Sequence, residues 1–118
     1  MTLEELVASL GKRNQDIKAT ALFDAEGLPL ASSLAEGTDA EEVSALSAQP
    51  IAQGESLIQE LGQGSLQLGI FRATDGITVL TRCSADLVFA VLASPRARLG
   101  LLLVDVTRCA QGINKLLE

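Results

Sequence analysis

Two stretches of the sequence are apolar at almost every position, IKATALF at residues 17–23 and LVFAVLA at residues 87–93. Side chains of a strand point alternately to the two faces of its sheet, so in the first stretch Ile17 and Phe23 share one face and Leu22 lies on the other. A strand with apolar residues on both faces must be covered on both sides. Because the chain also contains helical patterns, this requirement predicts an α/β fold built as a three-layer α/β/α sandwich.

Three segments have the apolar spacing that is typical of amphipathic helices, and residues that favour helix ends bound them. The first and second each begin with a threonine followed three residues later by a glutamate, the pattern of a capping box. Glycine follows both of them, and a Ser-Pro pair opens the third. The predicted ends are Thr2 and Gly11 for the first helix, Thr38 and Gly62 or Gly64 for the second, and Ser94 with Pro95 for the start of the third.

Five short segments are predicted strands, which makes the chain order α-β-β-α-β-β-β-α within one domain of residues 1–118. The turn DAEG at 24–27 joins the first two strands. Pro29 places the second strand on a sheet edge, because proline has no N–H to donate to a neighbouring strand. The last three strands form a meander with turns at 72–76 and 84–86. The predicted strands are residues 17–23, 28–33, 65–71, 77–83 and 87–93.

The sequence offers no catalytic or metal-binding motif. It contains no histidine, which removes the most common general base and metal ligand. Asp24 and Glu26 lie in a predicted turn with no base or nucleophile beside them, so we interpret them as turn residues. Cys83 and Cys109 lack CxxC spacing and are interpreted as buried thiols rather than as a disulfide or metal pair. We expect neither an enzyme nor a bound cofactor.

The composition narrows the choice of partner. A net charge of −6 would repel a polyanion, and three Phe with no Trp or Tyr leave few rings for base stacking. The opening MTLEELVASL is acidic where a signal peptide would be basic, and the longest apolar run, LGLLLV at 99–104, is too short to span a bilayer. We expect a cytoplasmic protein with protein partners, without nucleic-acid binding and without direct membrane insertion.

Two features indicate association with another protein. The segment 65–71 contains neither proline nor a charged residue, so at a sheet edge it would be free to pair, whereas in mid-sheet it would already be paired. Its position at the start of the meander favours an edge, and an identical copy is the most available partner. Small residues in the middle of the second helix permit close approach either of another helix or of the chain's own sheet. Pro50 lies among them, where we expect a kink or a local loosening.

The element order, the hairpin ALFDAEGLPLASS, the acidic-led helix from Thr38 and the closing LVFAVLASPRARLGLLLVDV resemble the Roadblock/dynein light chain superfamily across essentially the whole chain. The chain looks like the minimal, single-domain bacterial or archaeal form. The resemblance implies a five-stranded antiparallel sheet and no active site. It also implies a homodimer that joins two sheets into one of ten strands through the third strand and the middle helix.

The resemblance further implies a homodimeric regulator or GTPase-activating partner of a small Ras-like GTPase, as in prokaryotic motility and cell-polarity systems. The alternative is a non-catalytic adaptor or scaffold of the dynein light chain type. A small-ligand sensor is a third possibility, which the few polar residues on predicted inward faces disfavour. The expected dimer contacts are Leu66, Gln67, Leu68, Gly69, Ile70, Ser47, Ile51 and Gly54, and the expected GTPase contacts are Glu41, Ala48, Gln49, Ala52 and Arg72.

A regulator of this kind can act in two ways. It can stabilise the hydrolysis-competent conformation of the GTPase without donating a catalytic group, within the limit set by its differential affinity for the two conformations. It can instead insert an arginine finger. The candidate fingers are Arg72, at a predicted turn, Arg82, and Arg96 and Arg98, in the predicted first turn of the last helix. Solubility or ion pairing explains all four more simply.

Overall fold

The computed structural model describes residues 1–84 and 86–118, in which the helices and strands follow the predicted order. The predicted turn at 84–86 includes Ala85, which lies outside the described residues. The helices are α1 (Leu3–Arg13), α2 (Ala40–Glu60) and α3 (Leu99–Leu116), and the strands are β1 (Ile17–Asp24), β2 (Pro29–Ser33), β3 (Leu68–Ala73), β4 (Gly76–Arg82) and β5 (Leu87–Ala93).

The five strands form one antiparallel sheet, as the resemblance implies, and their order in it is β2-β1-β5-β4-β3. Pro29 lies in an edge strand, which confirms the inference from its missing N–H. Because β2 and β3 occupy opposite edges, α2 must carry the chain across the whole sheet. Its 21 residues make a helix about 31 Å long. That length exceeds the four inter-strand spacings of about 4.8 Å that it has to cross.

Helices cover both faces of the sheet and produce the predicted three layers. Under α1 and α3 lies the larger buried cluster, which includes Val7, Phe89 and Val106. Under α2 lies a smaller cluster, which includes Phe23 and Ile51. The two faces of the central strands are therefore both buried, as their composition requires.

Ile17 lies on the opposite face from the one predicted. It belongs to the cluster beneath α1 and α3 together with Leu22, whereas Phe23 faces α2. The pairing of β1 with β5 shifts register between Ile17 and Ala19. Such an irregularity inserts one residue and reverses the alternation of side chains on either side of it.

The helix boundaries differ from the predicted ones by a few residues. The capping box of α1 is present, with the backbone N–H of Thr2 and Glu5 each donating to the other's side chain at 3.1 Å. The helix continues through Gly11 to Arg13, so the prediction that Gly11 ends it is wrong. In α2 the cap is Asp39 rather than Thr38, because Oδ1 of Asp39 accepts the N–H of Glu41 at 3.0 Å.

Gly62 ends α2, as one of the two predicted candidates. Its φ is +70°, the left-handed conformation that glycine adopts without strain. The N–H of Gly62 donates to the carbonyl of Gln59, and the N–H of Gln63 donates to that of Ile58, both at 3.0 Å. These are the two bonds of a Schellman motif.

The helix α2 is not interrupted at Pro50, where the sequence predicts a kink or a loosening. Proline lacks the N–H that would bond the carbonyl of Leu46. Leu46 is exposed and Pro50 is half-buried, so water can reach the freed carbonyl.

The helix α3 begins four residues later than its predicted first residue, Pro95, so the prediction that Ser94 and Pro95 open it is wrong. Ser94 and Pro95 instead begin a turn, in which Ser94 accepts the N–H of Ala97 on its carbonyl at 3.0 Å and that of Arg96 on its hydroxyl at 3.2 Å. The turn buries Ala97 in the core. The helix then starts after Arg98, whose side chain makes no capping hydrogen bond.

Asp24 is a turn-forming residue, as interpreted from the sequence. Its Oδ1 accepts the N–H of Glu26 at 2.9 Å and that of Leu28 at 3.0 Å, and its carbonyl accepts the N–H of Gly27 at 2.9 Å. Glu26 is exposed at the tip. The turn rests on α2, because a Cβ added to Gly27 would lie 3.0 Å from Cα of Ala45.

We predict that Gly27→Ala destabilises the protein more than Gly37→Ala does. The two glycines have nearly the same φ, +87° and +86°, so both changes carry the strain of a left-handed alanine, about 1–2 kcal/mol. A Cβ at Gly37 meets nothing within 4 Å, whereas one at Gly27 meets the backbone of α2. The contact should add about 1–3 kcal/mol. Urea unfolding of both variants measures the difference, and equal losses would show that the turn does not pack closely on the helix.

Candidate association surface

The strand β3 lies at the edge of the sheet, as its position in the meander predicts. Among the described residues, its side facing β4 is paired and no strand lies along its other side. The N–H of Arg82 donates to the carbonyl of Gln67 at 2.8 Å. Hydrogen-bonded pairs alternate with non-bonded pairs along an antiparallel ladder. The backbone N–H and C=O groups of Leu68, Ile70 and Arg72 therefore point away from β4, toward the open edge.

The residues before β3 are held by α2 instead of extending the strand, which begins at Leu68 rather than at the predicted Ser65. Oε2 of Glu55 accepts the N–H of Leu66 at 2.6 Å and lies 3.7 Å from a guanidinium nitrogen of Arg82. Glu55 therefore joins the helix to the approach of β3 and to β4. This contact fixes the position of β3, and therefore of the open edge, relative to α2.

Three sides of α2 follow from the helical turn of about 100° per residue. One side faces the sheet, a second is exposed and apolar, and a third is exposed and combines two alanines with two polar residues. We call them the sheet side (Ser44, Ala48, Ile51, Glu55), the apolar side (Leu46, Pro50, Leu57, and Leu61 just past the helix end) and the small-residue side (Glu41, Ala45, Gln49, Ala52).

The apolar side of α2 is unusually exposed for leucine side chains. Leu46, Leu57 and Leu61 are 60, 58 and 61% exposed. Phe71, on β3, lies opposite Thr78 and shares the α2 face of the sheet with Leu80, which packs beneath α2. It is half-exposed. The open edge and the apolar side of α2 thus lie on the same face of the molecule. Glu55 joins the two elements that carry them.

Three of the expected dimer contacts pack inside the protomer. Ile51 is only 6% exposed and packs on the sheet beside Phe23. Leu66 packs against the same cluster and over Gly54, where an added Cβ would lie 3.0 Å from Cδ2 of Leu66. The small residue in the helix therefore accommodates the chain's own leucine.

The other expected dimer contacts differ in exposure. Gln67 and Ile70 are exposed, whereas Gly69 and Ser47 are half-buried. Leu68 is half-buried against the cluster beneath α1 and α3. Sequence reasoning missed the apolar side of α2, because its leucines look like core residues at helical spacing. The sequence does indicate that some of these apolar residues are exposed, because Leu46 and Ile51 are about 140° apart around the helix. That angle is too wide for one buried stripe.

The expected GTPase contacts do not form one surface. Glu41, Gln49 and Ala52 are exposed together on the small-residue side of α2. Ala48 is half-buried on the sheet side. Arg72 lies opposite Ile77 in β4, whose side chain belongs to the cluster beneath α1 and α3, so Arg72 projects from the other face of the sheet.

The four arginines considered as fingers have different surroundings. Arg82 is paired with Glu55 and is half-buried. Arg72 is exposed on the edge strand. Arg96 and Arg98 are exposed but precede α3 rather than lying in its first turn, which corrects their predicted placement.

The described residues show few chemically reactive groups. Cys83 and Cys109 are free and buried, which confirms their interpretation as buried thiols. Burial raises the pKa of each thiol to about 11. No group of three or more His, Cys, Asp and Glu residues in residues 1–84 and 86–118 is arranged to hold a metal ion. Within the same ranges, no helix has both the length and the hydrophobicity to cross a membrane.

The molecule is a three-layer α/β/α sandwich. The open β3 edge of its sheet lies beside an exposed apolar side of a helix, an arrangement that defines a class of small association domains. The sequence model of the Roadblock/LC7 domain matches residues 3–93, and the chain belongs to this family. The resemblance inferred from the hairpin and the element order is thereby confirmed.

Known proteins resemble this chain over nearly its whole length. The uncharacterized protein MJ1340 of Methanocaldococcus jannaschii is 26% identical over 111 residues, which are 94% of this chain and 96% of that protein. A Roadblock/LC7 domain from Streptomyces avermitilis superposes with a TM-score of 0.91 at 18% identity, covering 99% of this chain and 98% of the other. MglB of Myxococcus xanthus superposes with a TM-score of 0.89 at 18% identity, covering 98% and 94%. At these identities the two structures show a shared fold.

Proposed function

We propose that this chain forms a homodimer that binds a small Ras-like GTPase and regulates its switch regions. The observation that carries the proposal is the open edge of β3 beside the apolar side of α2. Apart from Arg72, the edge strand carries no charge, and natural proteins usually cover such an edge. A second copy is the partner that closes it symmetrically. The likeness to MglB supports the GTPase, since the family resemblance implies GTPase regulators among its single-domain prokaryotic members.

The geometry of the edge favours one register for the dimer. Three residues, Leu68, Ile70 and Arg72, offer outward backbone groups. An antiparallel pairing about a two-fold axis uses all of them when Ile70 lies opposite Ile70 of the partner subunit. Leu68 then pairs with the partner's Arg72. The same axis brings the apolar sides of the two α2 helices together, so that Leu57 and Leu61 leave water.

The dimer would act on a GTPase through its small-residue side, which the apolar contact leaves exposed. Ala52 presents little bulk there, so a partner can approach the helix backbone closely at that point, and Glu41 and Gln49 offer polar contacts beside it. Arg82 is already bound to Glu55, and its use as a finger would break that ion pair. We therefore favour stabilisation of one GTPase conformation over donation of a catalytic arginine.

We predict that Leu57→Glu converts the dimer to a monomer. A charge buried against the partner's helix without a counter-ion costs several kcal/mol. Leu28→Glu is the matched control, because Leu28 is equally exposed, at 58%, and lies at the end of the β1–β2 turn. Light scattering should give half the mass for Leu57→Glu and an unchanged mass for Leu28→Glu. A wild-type monomer, or an unchanged mass for Leu57→Glu, would contradict the proposed interface.

We predict that Ile70→Cys forms an intermolecular disulfide under mild oxidation at neutral pH, whereas Ala73→Cys does not. Residues of a hydrogen-bonded antiparallel pair have Cα atoms about 5.5 Å apart, which a disulfide can bridge. Ala73 is also exposed on β3 but would lie about 20 Å from its own copy in this register. The native thiols, with a pKa of about 11, stay protonated and buried at that pH. A dimer by light scattering without cross-linking at Ile70 would overturn the register while retaining the dimer.

The regulatory proposal is tested by single-turnover hydrolysis of GTP bound to a small Ras-like GTPase encoded beside this chain. We expect the dimer to accelerate hydrolysis and Ala52→Arg to weaken the acceleration by about tenfold or more, since a bulky charge would block close approach to the helix. Ala35→Arg, at an exposed loop position, should have no effect. Binding without any change in rate would support the adaptor or scaffold and overturn the regulator.

A further inference from the structure

A cleft of about 380 Å³ lies where the end of α1 meets the turn that precedes α3. It is on the other side of the sheet from α2, and none of the residues of the proposed dimer or GTPase surfaces lines it. Its charged and polar lining consists of Arg13, Asn14, Gln15, Asp16, Arg96, Arg98 and Asp105.

The cleft concentrates positive charge in an acidic protein. The chain has a net charge of −6, yet three of its six arginines, Arg13, Arg96 and Arg98, line this one cleft. Within residues 1–84 and 86–118, the ion pair with atoms closer than 4.0 Å joins Arg82 to Glu55, so it includes none of the three. Their guanidinium groups can therefore bind an external anion without first breaking a close pair.

The loop that forms the cleft is held in place by its own hydrogen bonds. Asn14 donates through Nδ2 to Asp105 at 3.1 Å and accepts the N–H of Asp16 on Oδ1 at 2.9 Å. The carbonyl of Asp16 accepts the N–H of Ser94 at 2.7 Å. These hydrogen bonds connect four segments: the end of α1, the start of β1, the end of β5 and α3. The backbone positions of the three arginines are therefore fixed relative to one another.

Two carboxylates line the same cleft and restrict what can bind there. Asp16 and Asp105 would repel a bare anion, but each is a strong acceptor for hydroxyl groups. Guanidinium groups match the geometry of phosphate oxygens. The cleft has a volume within the range of small-molecule sites, about 300–1,000 Å³. That volume is more than a single phosphate requires.

We propose that this cleft binds a small organic phosphate that carries free hydroxyl groups, such as a sugar monophosphate. Arg13, Arg96 and Arg98 hold the phosphoryl group, and Asp105 accepts a hydrogen bond from a hydroxyl. The positive end of the α3 dipole, which no acidic residue in the first turn offsets, adds to the potential of the arginines. The sequence disfavours a small-ligand site because few polar residues fall on predicted inward faces. The residues that line this cleft lie instead at the ends of helices and strands.

The test is calorimetric titration of the full chain with ribose 5-phosphate, with inorganic phosphate and ribose as reference probes. We expect saturable binding of ribose 5-phosphate, weaker binding of inorganic phosphate, and none of ribose. Arg98→Gln should weaken binding about tenfold or more, because a charge-assisted hydrogen bond is lost. Its side chain makes no capping bond, so the start of α3 is retained. Arg108→Gln, which removes the same charge from α3 outside the cleft, should leave the affinity unchanged.

Asp105→Asn separates the proposed chemistry from simple attraction of anions. The amide still offers Asn14 an acceptor oxygen, so the loop keeps its bond. Inorganic phosphate should bind more tightly after loss of the negative charge, and the preference for ribose 5-phosphate over inorganic phosphate should fall after loss of the carboxylate acceptor. No saturable binding of ribose 5-phosphate to the wild type, or an equal loss in Arg98→Gln and Arg108→Gln, would overturn the proposal. Neither result bears on the dimer, whose interface does not include the cleft.

Discussion

The antiparallel pairing of β1 with β5 is the constraint on which the rest of the structure depends. It joins the N-terminal hairpin to the C-terminal meander at the centre of one sheet. With those two strands central, β2 and β3 are left at opposite edges, and α2 has to cross the sheet to connect them. The helix then covers one face, which leaves α1 and α3 to cover the other. The open edge and the exposed side of α2 both follow from this single pairing.

The two edge strands of the sheet, β2 and β3, differ in how readily they can pair with another strand. Pro29 removes a donor from β2, and the β1–β2 turn packs against α2 through Gly27. The strand β3 contains no proline, its one charged residue is Arg72, and its outward backbone groups are free. This asymmetry restricts edge-to-edge pairing to one side of the molecule, and so favours a closed dimer over an open fibre.

The association surface was only partly predictable. The absence of charge and proline from the segment 65–71 can be read directly from the letters. The strand that forms is Leu68–Ala73, which includes the exposed Arg72. For the residues of α2, periodicity gives the angle between side chains around the helix. It does not tell which of those side chains face the sheet. Ile51 and Leu57 are both apolar at helical positions, and only the packing shows that the first is buried and the second exposed. The small residues of α2 permit close approach either of another helix or of the chain's own sheet, and at Gly54 the side chain of Leu66 occupies the space.

The sequence by itself determined the number, type and order of the elements, the three layers, and the edge position of β2. These depend on local properties: apolar periodicity, capping residues, turn residues and a missing donor. Tertiary structure alone decided the register shift at Ile17, the start of α3 after the turn that buries Ala97, and the cleft that gathers Arg13 with Arg98. Each of these depends on contacts between residues far apart in the chain. Local propensity contains no information about such contacts, because their energies arise only when the layers pack.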